Sequence, residues 1–548
     1  MATNTTTRYD HITCKHLIRS GSPTIYQLTP KKEKIGTIKR MTLGEKNPTK
    51  VHKTILLVGE TGTGKSALIN TLVNYAMGVT WEDNVWFEIV EEEKKQSQSQ
   101  EEDKERDVKC ESQTSDVIVY EIFGFEDKTL PYSLTIIDTP GYGDTRGPEY
   151  DDAISSRLTD VFRSQYGVHE INVVGLVLKA SENRLSDRLW YVFDSVASLF
   201  GKEMENNIVC LITHSDGMTP EDVLDALNAA NIKCAKDENN QPVHFLFSNL
   251  QNKERTKKIR FLKIAHETTM EGMSEFEEFL LGKAPQQLKT TVAVLNERIR
   301  LTASIQNLQE RVELIEFQQN EIQQTQEALR KHEQEMKSNE NFTVEVDEPY
   351  KDKETISSRM WALVFYEGAV SCNVCEENCH YPGCTMAWYP RDCEVMKKSH
   401  CTVCTGKCPV SDHVKEKWTY VTKTRKGTKT LQDVKKKFDQ SKADCKEKTS
   451  LLETVQKKMD ELKKDKDQWL EESFQHVVKL EQIALNVDSL STHIHLDFLI
   501  EKMKENSDRF EEEVQKLEEI KRRVNKGTRA GLGYMFGRLA TSAGRAFK

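Results

Sequence analysis

Short apolar runs alternate with longer amphipathic stretches between residues 50 and 285. The runs that are most typical of strands lie at residues 54–58, 116–123, 133–138, 171–179, 207–213 and 243–248. Several are almost continuous in Val, Ile and Leu, which is expected when both faces of a sheet are covered. Their alternation with helical segments predicts an α/β domain built on a parallel sheet.

Two segments lie outside this alternation. Residues 1–49 are predicted to be an N-terminal extension, and residues 88–112 are a charged, low-complexity insert within the domain. Because its apolar content is too low to form a core, we expect the insert to be a mobile loop. The α/β domain is therefore predicted to span residues 50–285.

A heptad pattern replaces the strand pattern after residue 286. One frame has apolar residues at the a and d positions Leu301, Ile305, Leu308, Val312, Ile315, Ile322 and Leu329. A second frame contains Val434, Phe438, Cys445, Leu452, Val455, Met459, Leu462 and Trp469. These frames predict coiled-coil helices at residues 286–340 and 426–525. Antiparallel pairing within one chain and dimerisation between chains both fit the pattern.

The composition fits this division of the chain. Of the 548 residues, 37% are apolar and 30% are charged, so part of the chain must be extended helix or solvated linker. The formal net charge of −9 argues against nucleic-acid binding, which requires a basic surface.

The N-terminus lacks the pattern of a signal peptide and no apolar run is long enough to span a bilayer, which predicts a cytoplasmic location.

A glycine-rich loop between the run 54–58 and a predicted helix is the first candidate site. The loop and the start of the helix comprise Gly59, Glu60, Thr61, Gly62, Thr63, Gly64, Lys65, Ser66 and Ala67. Glycines let backbone N–H groups surround phosphates, while Lys65 can reach the β and γ phosphates and Ser66 can ligate Mg²⁺. The partial positive charge of the helix N-terminus also favours an anion. The pattern predicts a nucleotide-binding P-loop.

Two further elements supply groups for Mg²⁺ and the γ phosphate. Asp138 follows a predicted buried strand and can hold Mg²⁺ through water, and the Gly141 N–H is placed to sense the γ phosphate. Thr114 precedes a predicted strand and is the candidate hydroxyl ligand of Mg²⁺, with an ordinary strand-edge threonine as the alternative. Lys65, Thr114 and Gly141 are therefore the candidate catalytic residues.

The base preference depends on the loops after the last two strands. Thr213, His214 and Asp216 lie at the end of the fifth predicted strand. A carboxylate at this place can accept hydrogen bonds from N1 and N2 of guanine, which adenine does not offer. Asp216 therefore favours GTP over ATP, whereas His214 is equally compatible with a histidine that has no role. Ser248 and Asn249, after the last strand, are weaker candidates for contact with the base.

The order of these motifs resembles the septin and immunity-associated (GIMAP-like) branch of P-loop GTPases. The sequences that carry the resemblance are GETGTGKS, SQTS, DTPG and THSD. Families of this branch use a Thr-His-x-Asp form in place of Asn-Lys-x-Asp, which accommodates His214. The resemblance implies a Rossmann-like P-loop NTPase fold, a G domain that binds GTP or GDP with Mg²⁺. It also implies a homo-oligomer formed through the nucleotide face, and the heptad frames add the coiled coil as an alternative interface.

Hydrolysis is expected to be slow. No glutamine that could orient an attacking water occurs at residues 142–146, which follow Gly141. We expect a GTP-dependent switch or assembly scaffold whose slow GTPase activity is completed by dimerisation. A scaffold that holds nucleotide without hydrolysing it is the first alternative. A coiled-coil ATPase is the second, although Asp216 and the negative net charge argue against it.

A second constellation is rich in cysteine. The spacing Cys-x2-Cys-x3-Cys occurs twice, beginning at Cys372 and at Cys401. A Cys-x2-Cys pair presents two thiolates to one tetrahedral Zn²⁺ and needs a second pair, so the donors suffice for two structural sites. Residues 341–425 are therefore predicted to be a zinc module, with free thiols or disulfides as the alternative. The candidate ligands are Cys372, Cys375, Cys379, His380, Cys384, Cys393, His400, Cys401, Cys404, Cys408 and His413.

Residues 526–548 contain basic and apolar side chains but no acidic one. Such a tail can lie on an anionic membrane, which predicts peripheral contact with a membrane surface. Packing on the GTP-binding domain, or disorder, is the alternative, since several glycines weaken a helix there.

Overall fold

The computed structural model describes residues 9–35, 38–91, 116–125, 128–141, 148–182, 186–256, 258–331, 343–356, 368–381, 384, 387, 389–430, 451–486 and 490–522. The chain divides into two units. The first comprises residues 1–295, 483–490 and 522–548, and the second comprises residues 296–482 and 491–521.

The first unit is a mixed arrangement of strands and helices. Its strands are β1 (Lys15–Arg19), β2 (Thr24–Leu28), β3 (Lys31–Ile35), β4 (Ile38–Leu43), β5 (His52–Gly59), β6 (Val85–Glu88), β7 (Ile118–Phe125), β8 (Lys128–Asp138), β9 (Glu170–Ile171), β10 (Val173–Lys179), β11 (Ile208–Thr213), β12 (His244–Leu246) and β13 (Gln286–Gln287). Its helices include α1 (Lys65–Ala76), α2 (Pro148–Arg163), α3 (Asp187–Ala197), α4 (Glu221–Ala229) and α5 (Ile259–Gly282).

Eight of these strands form one sheet in the order β12-β11-β10-β5-β8-β7-β4-β3. Strand β5 runs parallel to both of its neighbours, β8 and β10. Strands β11 and β12 continue the parallel arrangement, whereas β7 is antiparallel to β8 and β3 is antiparallel to β4. Each of the six predicted strand runs overlaps a strand of this sheet. The predicted α/β fold is confirmed.

Both faces of the central strand β5 are buried. Ile55 and Leu57 belong to a core that α1 and α5 cover, and Leu56 and Val58 belong to a second core that α2, α3 and α4 cover. Successive side chains of a strand point to opposite faces of the sheet. Burial on both faces is therefore the reason that the sequence of β5 is an unbroken apolar run.

The sheet also extends beyond the predicted N-terminal boundary of the domain. Residues 1–49 were expected to be a separate extension, but β4 pairs with β7 and β3 forms the outer edge of the same sheet. Sequence pattern did not reveal β3 because three of its five side chains are exposed lysines at the edge of the sheet. An edge strand needs no continuous apolar run, and charged residues protect it from pairing with other chains.

The second unit combines helices with short sheets. Its helices are most of α6 (Lys289–Lys331), α7 (Leu451–Ile483), α8 (Leu490–Lys504) and α9 (Ser507–Arg522). Its strands are β14 (Thr343–Thr355), β15 (Ala369–Cys372), β16 (Glu377–His380), β17 (Met396–Lys397), β18 (His400–Cys401), β19 (His413–Glu416) and β20 (Trp418–Thr430). Strands β14 and β20 form a long antiparallel ladder, and β15 lies between β16 and β19.

Helices α6 and α7 run antiparallel to each other within the second unit. Glu297 of α6 pairs with His476 of α7 at 3.0 Å and also with Lys479. Further along α6, the guanidinium of Arg311 lies 4.3 Å from the ring centre of Trp469, which comes earlier in α7. Burial would raise the pKa of Glu297, but hydrogen bonds from His476 and Lys479 lower that pKa to about 2. The structure thus shows pairing within one chain.

Several predicted segments fall partly or wholly outside the described residues. The first heptad frame is described, and its residues Leu301, Ile305, Leu308, Val312, Ile315 and Ile322 are buried. The positions Val434, Phe438 and Cys445 of the second frame, most of the insert at 88–112, and the tail at 526–548 are not among the described residues. No described helix is both long enough and apolar enough to cross a bilayer. Contact of the tail with a membrane stays a prediction.

The packing of α5 on β12 predicts that Gly272→Ala destabilises the first unit. A Cβ at Gly272 would lie 2.1 Å from the backbone oxygen of Leu246, so the helix would have to shift. Overpacking of this kind costs about 1–3 kcal/mol in the free energy of unfolding. Urea denaturation of the two purified proteins measures the difference.

Gly282→Ala, at the end of the same helix, is the matched control. A Cβ at Gly282 would meet no atom within 4 Å, so this variant should unfold at or slightly above the wild-type urea concentration. Equal midpoints for the two variants would show that α5 is not held tightly against β12.

Candidate nucleotide site and metal centre

The glycine-rich loop joins the end of β5 to the start of α1. Gly62 and Gly64 have φ angles of 83° and 90°, in the left-handed region that favours glycine. A Cβ at Gly59 would lie 2.5 Å from the backbone oxygen of Val177 on β10. The glycines are therefore required by the path of the backbone, and the loop ends at Lys65, the first residue of α1.

Lys65 lies over this loop rather than in solvent. Its ammonium donates hydrogen bonds to the carbonyl oxygens of Gly59 at 2.7 Å and Glu60 at 3.1 Å. Ser66 and Ala67 follow in the first turn of α1 and are half-buried. The buried ammonium of Lys65 and the N-terminus of α1 thus both lie at the glycine-rich loop. Two positive groups at one loop favour the binding of a phosphate group.

The segment after β8 is packed against the same loop. Asp138, which is fully buried, pairs in register with Leu57 of β5. The Thr139 hydroxyl donates to the carbonyl oxygen of Leu57 at 2.9 Å. A Cβ at Gly141 would lie 2.2 Å from the hydroxyl oxygen of Thr61, so the two backbones almost touch. The structure therefore brings the candidate residues Asp138 and Gly141 to the P-loop.

The loops after β11 and β12 are also tied to the P-loop. The buried hydroxyl of Thr213 lies 2.6 Å from the carbonyl oxygen of Thr63 and 2.9 Å from that of Leu178. The side-chain amide of Asn249 donates to the carbonyl oxygen of Gly64 at 3.3 Å. Residues that are distant in sequence thus come together at the carboxyl ends of the parallel strands.

His214 lies beside this junction in a left-handed backbone conformation, with φ of 55°. Its Nδ1 is 3.0 Å from the hydroxyl oxygen of Thr213. Burial and, to a lesser extent, the charge of Lys179 lower the pKa of His214, so its imidazole is neutral at neutral pH. A neutral ring can pack on or hydrogen-bond to a base without adding charge.

Lys179 is a candidate that sequence reasoning missed. It is the last residue of β10, and its ammonium lies 4.0 Å from the position that a Cβ of Gly62 would take. The available signal was its place at the carboxyl end of a buried parallel strand, where α/β proteins bind ligands.

The remaining candidate residues differ in their exposure and in their hydrogen bonds. Asp216 is exposed, and one of its carboxylate oxygens accepts a hydrogen bond from the Met218 N–H at 3.0 Å. Ser248 is buried, and its N–H donates to the hydroxyl of Thr269 at 3.0 Å. Thr114 lies outside the described residues, so its role as a ligand of Mg²⁺ stays a prediction.

The family model for septins matches residues 49–166. This segment contains the P-loop, Asp138 and Gly141, whose geometry is described above. This part of the chain is therefore septin-like. The match ends before Thr213 and Asp216, so contact of these residues with the base stays a prediction.

Solved structures of Toc33 from Arabidopsis thaliana are also similar to part of this chain. The complex with GDP and Mg²⁺ is 14% identical, with a TM-score of 0.24, and the alignment covers 41% of this chain and 85% of that chain. The complex with Mg²⁺ and GMPPNP is 14% identical, with a TM-score of 0.23 and coverages of 41% and 86%. No curated protein sequence matches the chain. TM-scores this low do not support a role for any residue of the candidate site.

The residues that the structure describes also include three groups of side chains that could hold metal ions. In each group the donor atoms all lie within 4.8 Å of one another. The first cluster is Cys372, Cys375, Cys404 and Cys408; the second cluster is Cys379, Cys401, Cys404 and His413; the third cluster is His380, Cys384, Cys393 and Glu394.

These clusters revise the predicted set of metal ligands. The cysteine spacing predicted two sites, whereas the described residues form three clusters, with Cys404 in two of them. His400 belongs to none, because its side chain is exposed and its Nδ1 lies 3.1 Å from the carbonyl oxygen of Lys398. Glu394 was missed because an acidic residue beside a cysteine is not distinctive in sequence. Ten of the eleven candidates therefore come together in the three clusters.

The buried hydroxyl of Thr213 predicts that Thr213→Val weakens both the fold and nucleotide binding. Valine has nearly the same shape but leaves the carbonyl oxygens of Thr63 and Leu178 without this donor. Loss of a buried hydrogen bond of this kind costs about 1–3 kcal/mol. Thermal denaturation and titration with a fluorescent guanine nucleotide measure the two effects.

Thr213→Ser is the matched control, since it keeps the hydroxyl. We expect the serine variant to bind nucleotide almost as well as the wild type. If serine and valine variants lost affinity equally, the hydroxyl would not be the group that positions the loop.

Proposed function

We propose that the protein binds GTP and GDP at the P-loop and acts as a GTP-dependent switch or assembly scaffold. The observation that supports this most directly is the junction of Thr213 with Thr63 and Leu178. It joins the predicted base-binding loop to the predicted phosphate-binding loop. One bound nucleotide can therefore contact both loops, because both lie at the carboxyl end of the parallel strands.

The proposed roles follow from the positions of the side chains. Lys65 and the backbone N–H groups of the loop contact the phosphates, and the N-terminus of α1 adds a favourable partial charge. Ser66 and Asp138 supply the oxygen ligands that Mg²⁺ prefers. Thr114 is proposed as a further ligand on sequence grounds. Magnesium, when bound, neutralises charge on the β and γ phosphates.

The switch is proposed to act through Gly141. Its backbone lies against Thr61, so a γ phosphate that draws in the Gly141 N–H changes the position of the segment that follows. Ordering of a segment by the γ phosphate is a general mechanism in GTP-dependent switches. The absence of glutamine at residues 142–146 supports slow hydrolysis, and we propose that a second copy of the chain completes the site.

The cysteine-rich clusters are proposed to hold structural zinc. All the donors in these clusters are thiolate, imidazole or carboxylate groups, which are the common protein ligands of Zn²⁺. Because each cluster already supplies four donors, no open position remains for a substrate. The metal is therefore assigned to the stability of the second unit and not to catalysis.

The proposed base contact predicts that Asp216→Asn exchanges guanine specificity for xanthine specificity. Asparagine can donate to the 2-oxo group of xanthine but does not accept both N1–H and N2–H of guanine. GTP affinity should fall about 100-fold or more, since hydrogen bonds to a charged group contribute roughly 1.5–3 kcal/mol each. Xanthosine triphosphate should bind more tightly to the variant than to the wild type.

Asp222→Asn is the matched control, because Asp222 is exposed on the neighbouring helix α4 and has no proposed contact. This variant should keep wild-type affinity for both nucleotides in equilibrium competition. Unchanged GTP affinity in Asp216→Asn, or displacement of bound GTP by equimolar ATP in the wild type, would contradict the assignment to GTP.

The proposed dimer predicts that GTP hydrolysis per molecule rises with protein concentration. Single-turnover rates are measured at concentrations below and above the self-association constant, which analytical ultracentrifugation gives independently. Lys65→Ala should abolish hydrolysis at every concentration, because it removes the cation from the phosphate site. A rate that stays constant across the monomer–dimer transition would contradict completion of the site by a second copy, and no hydrolysis at any concentration would favour the nucleotide-holding scaffold.

A further inference from the structure

We propose that the second unit binds three zinc ions, two of which share the Cys404 thiolate as a bridging ligand. The first and second clusters then form one binuclear centre, and the third cluster forms a separate site. This inference rests on the proposed zinc content of the clusters. It adds how many zinc ions bind and which two of them share a ligand.

The shared position of Cys404 is the first argument for the bridge. Its Sγ lies within 4.8 Å of the donors of Cys372, Cys375 and Cys408 and also within 4.8 Å of the donors of Cys379, Cys401 and His413. Two tetrahedral ions need eight ligand positions, and these clusters supply seven different residues. One donor must therefore serve both ions, and Cys404 is the residue common to the two clusters.

Distances between sulfur atoms support metal ligation over disulfides. With a Zn–S bond of about 2.3 Å, two sulfurs of a tetrahedral site are about 3.8 Å apart. Cys375 and Cys408 have their Sγ atoms 3.6 Å apart, and Cys384 and Cys393 have theirs 3.9 Å apart. A disulfide would require about 2.05 Å. The observed separations match the edges of a zinc tetrahedron.

His413 is oriented as a metal ligand in the second cluster. Its Nδ1 lies 2.9 Å from the carbonyl oxygen of Pro409, to which it can donate. The other ring nitrogen, Nε2, is buried and makes no hydrogen bond among the described residues. A histidine that ligates zinc commonly donates its second N–H to a carbonyl, which fixes the tautomer and the ring orientation.

Backbone N–H groups surround the thiolates of the proposed binuclear centre. The Sγ of Cys401 accepts from the N–H groups of Val403 and Cys404, both at 3.3 Å. The Sγ of Cys404 itself accepts from the Cys408 N–H at 3.3 Å. Such hydrogen bonds offset the negative charge that accumulates when several thiolates meet.

Gly406 permits the close packing of this loop. Its N–H donates to the Sγ of Cys375 at 3.3 Å. A Cβ at this position would lie 2.9 Å from the Sγ of Cys408 and 3.4 Å from that of Cys375. Any side chain here would press on two of the four donors of the first cluster.

The third cluster has the dimensions of a mononuclear site. The Nδ1 of His380 lies 3.2 Å from the Sγ of Cys393 and 3.3 Å from a carboxylate oxygen of Glu394. That oxygen is 3.6 Å from the Sγ of Cys393. From Zn–ligand bonds of about 2.0–2.3 Å, tetrahedral edges of about 3.4–3.6 Å are expected for these mixed pairs. All four residues are buried.

Native mass spectrometry of the full chain, purified under reducing conditions, tests the number of ions. We expect three zinc ions per chain. Two ions would overturn the bridged centre while preserving zinc as a structural metal, and none would overturn the zinc assignment itself. Neither result bears on the nucleotide site, which guanine nucleotide titration of the same sample measures separately.

Exchange of the zinc for ¹¹³Cd tests the bridge without any substitution. Two cadmium ions that share one thiolate are coupled through that sulfur, so two of the three resonances should show mutual scalar coupling. The third resonance, from the site with His380 and Glu394, should show no coupling to either. Three uncoupled resonances would overturn the bridge.

Substitution of Cys404 gives an independent test with a matched control. Cys404→Ser should lower the metal content below three, because it removes a ligand of both ions, whereas Glu394→Gln should lower it by one at most. His400→Ala should retain three ions, since His400 lies next to Cys401 but outside every cluster. Three ions in Cys404→Ser would contradict the proposal.

Discussion

Direct contact between backbones is the constraint on which the nucleotide site depends. Gly59 lies against the backbone of β10 and Gly141 lies against the backbone of Thr61, each at a distance that excludes a Cβ, and Gly64 lies against the side-chain amide of Asn249. These contacts hold three separate loops at the end of the sheet. Since backbone N–H groups are the principal ligands of phosphate in such loops, close backbone packing also brings the donors into position.

A different constraint organises the second unit, where polar and ionic side chains hold short irregular strands. Buried Arg311 of α6 donates to Glu377 at 2.8 Å and to the carbonyl oxygen of Val403 at 2.8 Å. Asn307 donates to the carbonyl oxygen of Asn378 at 3.0 Å. The strands next to the cysteines are too short to form a large apolar core. The metal ligation that we propose would add stability that apolar burial alone does not supply in such small modules.

Sequence pattern predicted well those features that depend on local repetition. The run at residues 54–58 is apolar at every position because both faces of β5 are buried, and the glycine loop follows it directly. The edge strand β3 was missed because exposed positions carry no apolar signal. Lys179 and the ladder of β14 with β20 were missed for a related reason: their partners are far away in the chain, and no residue type marks the contact. Glu394 lies next to Cys393, and it was missed because an acidic residue beside a cysteine is not distinctive in sequence.

The sequence alone determined the α/β class, the P-loop, the cysteine spacing and the helical character of the segments with a heptad pattern. Each of these depends on periodicity or on a short motif, which the order of residues records directly. Tertiary structure decided that α6 and α7 pair within one chain, that Thr213 contacts the P-loop, that His400 lies outside the clusters, and that Cys404 lies between two of them. Such features depend on distances between residues that are remote in the chain, and these distances exist only after folding.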